Sequence, residues 1–150
     1  MIEFGPHDFV LLAEFSLRWR WTESTGNTLP PRALARIRAL SAARAADLAP
    51  HAAYLCDERR ELAQEMRTDG EPARVSAWLR TLHIEPSTRL VVSWDAATAV
   101  VTDWELFCSY WDDFYCPASD NVTILPLSEE WVLCYDHHEL FRLDHPDHAV

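Results

Sequence analysis

Lysine is absent from this 150-residue chain, and glycine occurs only three times, at Gly5, Gly26 and Gly70. Three scattered glycines cannot form a glycine-rich phosphate loop or a GxSxG nucleophile elbow. No apolar run approaches the roughly 18 residues that a membrane span needs. The first residues lack the basic segment and small-residue cleavage site of a secretory signal. We therefore expect a cytoplasmic protein without a membrane partner.

Positive charge is scarce in the second half of the chain. Residues 86–150 contain only Arg89 and Arg142 against twelve Asp and Glu, a net charge of −10 out of −11 for the whole chain. Such a surface repels nucleic acid and attracts basic proteins. An apolar content of 49% with seven tryptophans indicates a single globular domain over residues 1–150.

The four cysteines, Cys56, Cys108, Cys116 and Cys134, show no CxxC spacing. In a reducing compartment such residues are small buried side chains rather than disulfide partners. We therefore expect all four to be free thiols.

Periodicity indicates an α+β fold. Alternating apolar residues predict an N-terminal strand over Phe9–Trp21. Helical spacing then predicts about three helices: one from Pro31 that ends at Pro50, one with apolar residues from Leu55 to Met66, and one with apolar residues from Val75 to Leu82.

The second half predicts a largely antiparallel sheet with one amphipathic helix packed on it. Two strands flank an Asp95-Ala96-Ala97 turn, and three more follow at residues 122–127, 131–135 and 140–143. Between these two groups, Thr102 and Glu105 resemble a capping box that opens a helix. One face of that helix is aromatic and is expected to be buried against the sheet.

The end of that helix suggests a binding surface. Asp112 and Asp113 face the negative end of the helix dipole, which is locally unfavourable, and such exceptions tend to mark function. The alternative is a solvated pair bonded to loop amides. Tyrosine is a preferred interface residue, and Tyr115 and Tyr135 are the tyrosines expected to be partly exposed. The predicted partner-binding residues are Asp112, Asp113, Tyr115, Asp120, Glu129 and Glu130.

Other chemistry receives weaker support. Four histidines, His137, His138, His145 and His148, lie within twelve residues, but no paired zinc-ligand motif is present. A carboxylate pair for glycoside chemistry, or a nucleophile pair of Cys134 with His137, has no distinctive spacing. We expect no catalytic residues, no metal and no cofactor, and a metal-dependent enzyme is the minor alternative.

Residues 102–143, TDWELFCSYWDDFYCPASDNVTILPLSEEWVLCYDHHELFRL, resemble a group of small, mostly uncharacterised bacterial proteins. The distinctive stretch runs from WDDF to the Cys-Pro loop; the Asp-His-His-Glu turn at 136–139 is less acidic than in that group. The group is associated with immunity proteins encoded near polymorphic toxins. The resemblance implies an immunity-type inhibitor of a basic toxin domain, with no catalytic residues to carry across. The alternative is a housekeeping interaction domain that self-associates as a homodimer.

Overall fold

The computed structural model describes residues 1–22, 28–57, 64–116 and 120–145. An eight-stranded sheet forms its centre, with strand order β1-β2-β5-β4-β6-β7-β8-β3 and antiparallel pairing throughout. Helices cover both faces, which confirms the predicted α+β class. The strands are β1 (Phe9–Val10), β2 (Arg38–Leu40), β3 (Gln64–Arg67), β4 (Arg89–Ser93), β5 (Ala99–Asp103), β6 (Val122–Pro126), β7 (Val132–Asp136) and β8 (Leu140–Asp144). The helices are α1 (Trp19–Thr22), α2 (Pro31–Leu34), α3 (Ala42–Asp57), α4 (Pro72–Arg80) and α5 (Trp104–Tyr110), with 3-10 turns at Pro6–Asp8, Leu12–Glu14 and Trp111–Asp113.

The two faces of the sheet bury different side chains. Alternate residues of a strand point to opposite faces, so Leu90 and Val92 enter the larger core while Val91 enters a smaller one. The larger core is aromatic and includes Trp104 and Phe141. We call this side the aromatic face; α4 and α5 lie on it. The opposite side is the α3 face, because α3 contacts β4, β6 and β7 there.

The prediction for the second half of the chain is confirmed in its main elements. Strands β4 to β8 lie where alternation placed them, and α4 matches the third predicted helix. The aromatic residues of α5 are buried, including Trp104 at 3% and Phe107 at 1% exposure. The helix cap differs from the prediction: Asp103, not Thr102, is the N-cap, and its Oδ1 accepts a hydrogen bond from the Leu106 amide at 2.9 Å.

The predicted strand over Phe9–Trp21 is wrong. Only Phe9 and Val10 pair with another strand, and the chain then passes through a 3-10 turn into the short helix α1. Phe15 and Trp21 are buried because they stack on each other beside Trp94, with ring centroids 5.8 Å apart, and not because they belong to a ladder. The alternation therefore reflects tertiary packing of aromatic rings.

The predicted boundaries of the first two helices are also wrong. The helix from Pro31 ends at Leu34, and residues 38–40 pair with β5 as strand β2. Helix α3 then starts after Ser41, whose Oγ accepts a hydrogen bond from the Arg44 amide at 3.2 Å, and it continues through Pro50. Residues 58–63 lie outside the described part of the chain, and Met66 is in a strand that pairs with β8.

No helix within the described ranges is long and apolar enough to cross a membrane.

Candidate functional site

Acidic side chains gather at one end of the sheet, where β4 and β7 end and β5, β6 and β8 begin. Asp95 lies in the β4–β5 turn, Asp120 precedes β6, and Asp136 and Glu139 lie at the β7–β8 turn. These positions share one end because β4 and β7 run antiparallel to the strands beside them. We call this end the acidic end; its carboxylates are those of Asp57, Asp69, Asp95, Asp112, Asp113, Asp120, Asp136 and Glu139.

Asp112 and Asp113 lie in the 3-10 turn that follows α5, and they reach the acidic end from the aromatic face. The indole Nε1 of Trp21 donates to the carbonyl of Asp113 at 3.0 Å, and that of Trp94 donates to the carbonyl of Phe114 at 2.7 Å. Both indoles thus supply hydrogen-bond donors to backbone carbonyls that lie just after α5. Asp112 is exposed and Asp113 is half-buried.

Arg20 offsets the unfavourable placement of acidic residues after a helix. Its Nη1 donates to the Phe114 carbonyl at 3.2 Å and lies 2.8 Å from the Asp120 carboxylate. The Arg20 side chain is only 8% exposed, so its positive charge lies beneath the acidic residues. A cation near a helix C-terminus complements the dipole. The sequence exception at Asp112 and Asp113 is therefore compensated by a residue 92 positions away from Asp112.

Asp120 belongs to the structure of its loop. Besides its pair with Arg20, its Oδ2 accepts a hydrogen bond from the Cys116 amide at 2.7 Å. A carboxylate therefore does bind a loop amide here, but it is that of Asp120 and not those of the Asp112–Asp113 pair for which the alternative was stated. Residues 117–119, which include the proline of the Cys-Pro loop, lie outside the described residues.

The predicted exposure of two tyrosines is wrong. Tyr115 is 8% exposed and Tyr135 is 2% exposed, and their rings stack with centroids 3.9 Å apart. Burial raises the pKa of both phenols, because desolvation disfavours the charged phenolate. Tyr115 is therefore a core residue packed beneath the acidic end, and its side chain is not available to contact a partner.

The predicted acidic residues do not form one patch. Glu129 and Glu130 follow β6, whereas Asp120 precedes it, so they lie at opposite ends of a five-residue strand. A strand of that length separates them by more than about 13 Å. Glu129 also contacts His51 at 2.7 Å and the N-terminal amine at 3.4 Å. The structure brings together Asp112, Asp113 and Asp120, and leaves Glu129 and Glu130 apart.

Sequence reasoning missed Asp95, Asp136 and Glu139. Two hydrogen-bond donors, the Ala97 amide and the Thr98 hydroxyl, hold Asp95 Oδ1 at 2.8 and 2.7 Å. Desolvation opposes the charged form, but these bonds outweigh it and the pKa of Asp95 is lowered. The signal was available in part, because Asp95 and Asp136 each open a predicted hairpin turn. Their proximity depends on the strand order, which alternation does not reveal.

A groove of about 570 Å³ opens on the α3 face of the acidic end. Alanines of α3 form one wall, and the β4–β5 and β7–β8 turns form the other. A disulfide between Cys56 and Cys134 lies in its lining, which contradicts the expectation of four free thiols. The physical reason is position: the last turn of α3 lies directly over β7, a proximity that spacing in the sequence does not show. Cys108 and Cys116 carry thiols and are not joined by a disulfide.

The histidine turn of the groove is organised by hydrogen bonds. Asn121 Oδ1 accepts from the backbone amide of His137 at 3.1 Å and lies 3.2 Å from its Nδ1. The rings of His137 and His138 are 4.1 Å apart. Across the described ranges, no group of three or more His, Cys, Asp or Glu side chains is arranged to hold a metal ion. His148 lies outside those ranges, and Cys134 is bonded to Cys56 rather than paired with His137.

Comparisons of the chain with protein-family models, with curated proteins and with solved structures find no match.

Proposed function

We propose that this chain is a protein-binding module of the immunity type, which holds a basic partner at the acidic end of its sheet. The observation that carries the proposal is the convergence of carboxylates from six separate segments, namely α3, the residues after β3, the residues after α5, the loop before β6, the β4–β5 turn and the β7–β8 turn. Nucleic-acid-degrading toxins present basic clefts, and a concentrated negative potential both attracts such a cleft and occupies it.

The core behind the acidic end favours this use. Trp21, Trp94 and Phe114 form an aromatic cluster beneath it, in which Trp94 and Phe114 stack and Trp21 is tilted against both. Arg20 links this cluster to Asp120, because it donates to the Phe114 carbonyl and pairs with the Asp120 carboxylate. A rigid support reduces the conformational entropy that is lost when a partner binds. Exposed carboxylates on a fixed scaffold also give an association rate that depends strongly on salt.

The test compares two double variants of equal net charge. Asp57→Lys with Asp112→Lys reverses two exposed charges at the acidic end, and Glu85→Lys with Glu130→Lys reverses two exposed charges elsewhere. The partner is the product of the gene beside this chain's gene, verified by pull-down and mass spectrometry. We expect the first double variant to lower the association rate constant on the order of tenfold or more at low salt.

The control defines the outcome that counts against the proposal. If both double variants slow association equally, only the net charge matters and the acidic end is not the binding site. If the chain neither binds the neighbouring gene product nor restores growth to cells that express it, the immunity-type role is wrong.

Self-association remains the alternative function. Tyr115 and Tyr135, the tyrosines expected to be partly exposed, are buried and offer no surface for it. The large apolar side chains that are exposed include Trp19 at 46% and Tyr54 at 56%. Sedimentation at several concentrations distinguishes the two functions, because a homodimer dissociates on dilution without any partner present.

A further inference from the structure

A hollow lined by arginines lies at the end of the sheet opposite the acidic end. It is an open depression of about 490 Å³ on the α3 face, and its lining includes Arg36, Arg38, Arg89 and Val101. We call it the arginine hollow. Its location is notable because residues 86–150 contain only two basic side chains, and Arg89 is one of them. The hollow shares no residue with the acidic end.

Two carboxylates hold Arg36 in place. Its Nε and Nη2 donate to the two oxygens of Asp103 at 3.0 and 2.5 Å, and Nη2 also donates to Glu105 at 2.7 Å. Asp103 in turn caps α5 through its Oδ1. Arg36 pairs with both acidic residues of the hollow but balances only one of their two negative charges. With Arg38 and Arg89, three positive charges face two negative ones, which leaves the hollow a net charge of +1. Both oxygens of Asp103 already accept from Arg36, although Asp103 lies opposite Arg89 in the ladder.

Arg38 and Arg89 remain without a carboxylate. Within the described residues, neither side chain has an ion pair, and both are exposed. The guanidinium carbon of Arg38 lies 3.6 Å from the ring centroid of Phe9. Stacking uses the flat face of a guanidinium and leaves its N–H edge free to donate. Arg38 is thus held in place while most of its donors stay available.

The ladder places these two arginines on either side of one strand. Arg38 is paired with Val101 of β5, and Arg89 is paired with Asp103 two residues further along the same strand. Residues two apart on a strand share a face, so both arginines border the same apolar floor. Ser87, which also lines the hollow, adds a hydroxyl.

We propose that the arginine hollow binds a phosphate group, with Arg38 and Arg89 as its two charged donors. Two guanidinium groups and a hydroxyl offer more hydrogen-bond donors than the two oxygens of a carboxylate need, and a phosphate with three or four oxygens fits that number. The group is carried either by a small phosphorylated metabolite or by a phosphorylated side chain of a protein. Its binding is independent of the acidic end, from which β4 and β5 separate it.

The test uses the isotopically labelled full chain and inorganic phosphate, followed by arms with adenosine monophosphate and with a phosphoserine peptide. We expect saturable shifts of the side-chain Nε–Hε signals of Arg38 and Arg89. Each of R38Q and R89Q should weaken phosphate binding by at least about tenfold, the loss expected for one charge-assisted hydrogen bond. R74Q removes an exposed arginine on α4 and should leave the affinity unchanged.

Each outcome decides the proposal. The proposal is supported if any phosphate probe binds saturably and if R38Q and R89Q weaken that binding while R74Q leaves it unchanged. The probe that binds most tightly identifies the source of the phosphate. Shifts in the wild-type chain that never saturate, or equal losses in all three variants, indicate an adventitious ion only and overturn it. Signals from the wild-type chain alone remain informative if a variant fails to fold.

Discussion

Reduction of the Cys56–Cys134 disulfide should lower the free energy of unfolding without changing the fold. The bond joins residues 78 positions apart, and closing a loop of that length removes about 4.5 kcal/mol of chain entropy from the unfolded state. Native strain and residual structure reduce such effects, so we expect a loss of about 2–4.5 kcal/mol. α3 keeps other links to the sheet, because Leu55 packs beside Leu125 and Arg142 donates to the Cys56 carbonyl.

The assay is urea unfolding with and without a reductant. With a denaturant dependence of about 2 kcal/mol per molar urea, the midpoint should fall by about 1–2 M. A C56S/C134S double variant is the control, and its midpoint should not respond to reductant. Alkylation of the unfolded chain should label two cysteines before reduction and four afterwards. Four labels before reduction, with equal midpoints in both conditions, would refute the disulfide.

Three further predictions concern stability. Phe141→Ala removes a side chain with 0% exposure and should cost about 3–5 kcal/mol in urea unfolding, whereas the control Leu11→Ala, at 71% exposure, should change it by less than about 0.5 kcal/mol. Asp103→Ala removes both the α5 cap and an arginine partner and should cost about 1–2 kcal/mol, whereas Asp103→Asn keeps a cap acceptor and should cost less; equal losses would contradict the capping role. Because burial raises the pKa of Tyr115 and Tyr135, their stabilising effect is present below the unfolded value of about 10 and is lost as pH rises through the folded values. Tyrosinate absorbance from these residues should therefore appear together with unfolding, and ionisation in a chain that remains folded would be the contrary result.

The sequence identifies the second half of the fold well because its signals are local there. β4 and β5 flank a turn that opens with Asp95, and β7 and β8 flank one that opens with Asp136, so each hairpin can be recognised from adjacent residues. In the first half, the deciding contacts are remote. β2 exists because β5 offers it a partner more than sixty residues later, and helical spacing around Leu40 gave no sign of this.

The candidate site was predictable in part for the same reason. Asp112 and Asp113 could be singled out from one helix end, and charge counts located the negative half of the chain. The contribution of Asp95 and Asp136 depends on strand order, and the burial of Tyr115 depends on its stack with Tyr135. The arginine hollow arises from neighbours in the ladder that are far apart in sequence, so no motif marks it.

The strand order also has a consequence for synthesis on the ribosome. Among the strands of the described ranges, β3 pairs only with β8, so the segment ending at Arg67 must wait for the one beginning at Leu140 before it has a neighbour. At 5–20 residues per second, that interval lasts about 4–15 s. Ala39 and Leu40 of β2 stay uncovered until β5 emerges within this interval, and Met66 of β3 stays uncovered until β8 emerges at its end. Slower translation between these segments should therefore increase capture of the nascent chain by holdase chaperones.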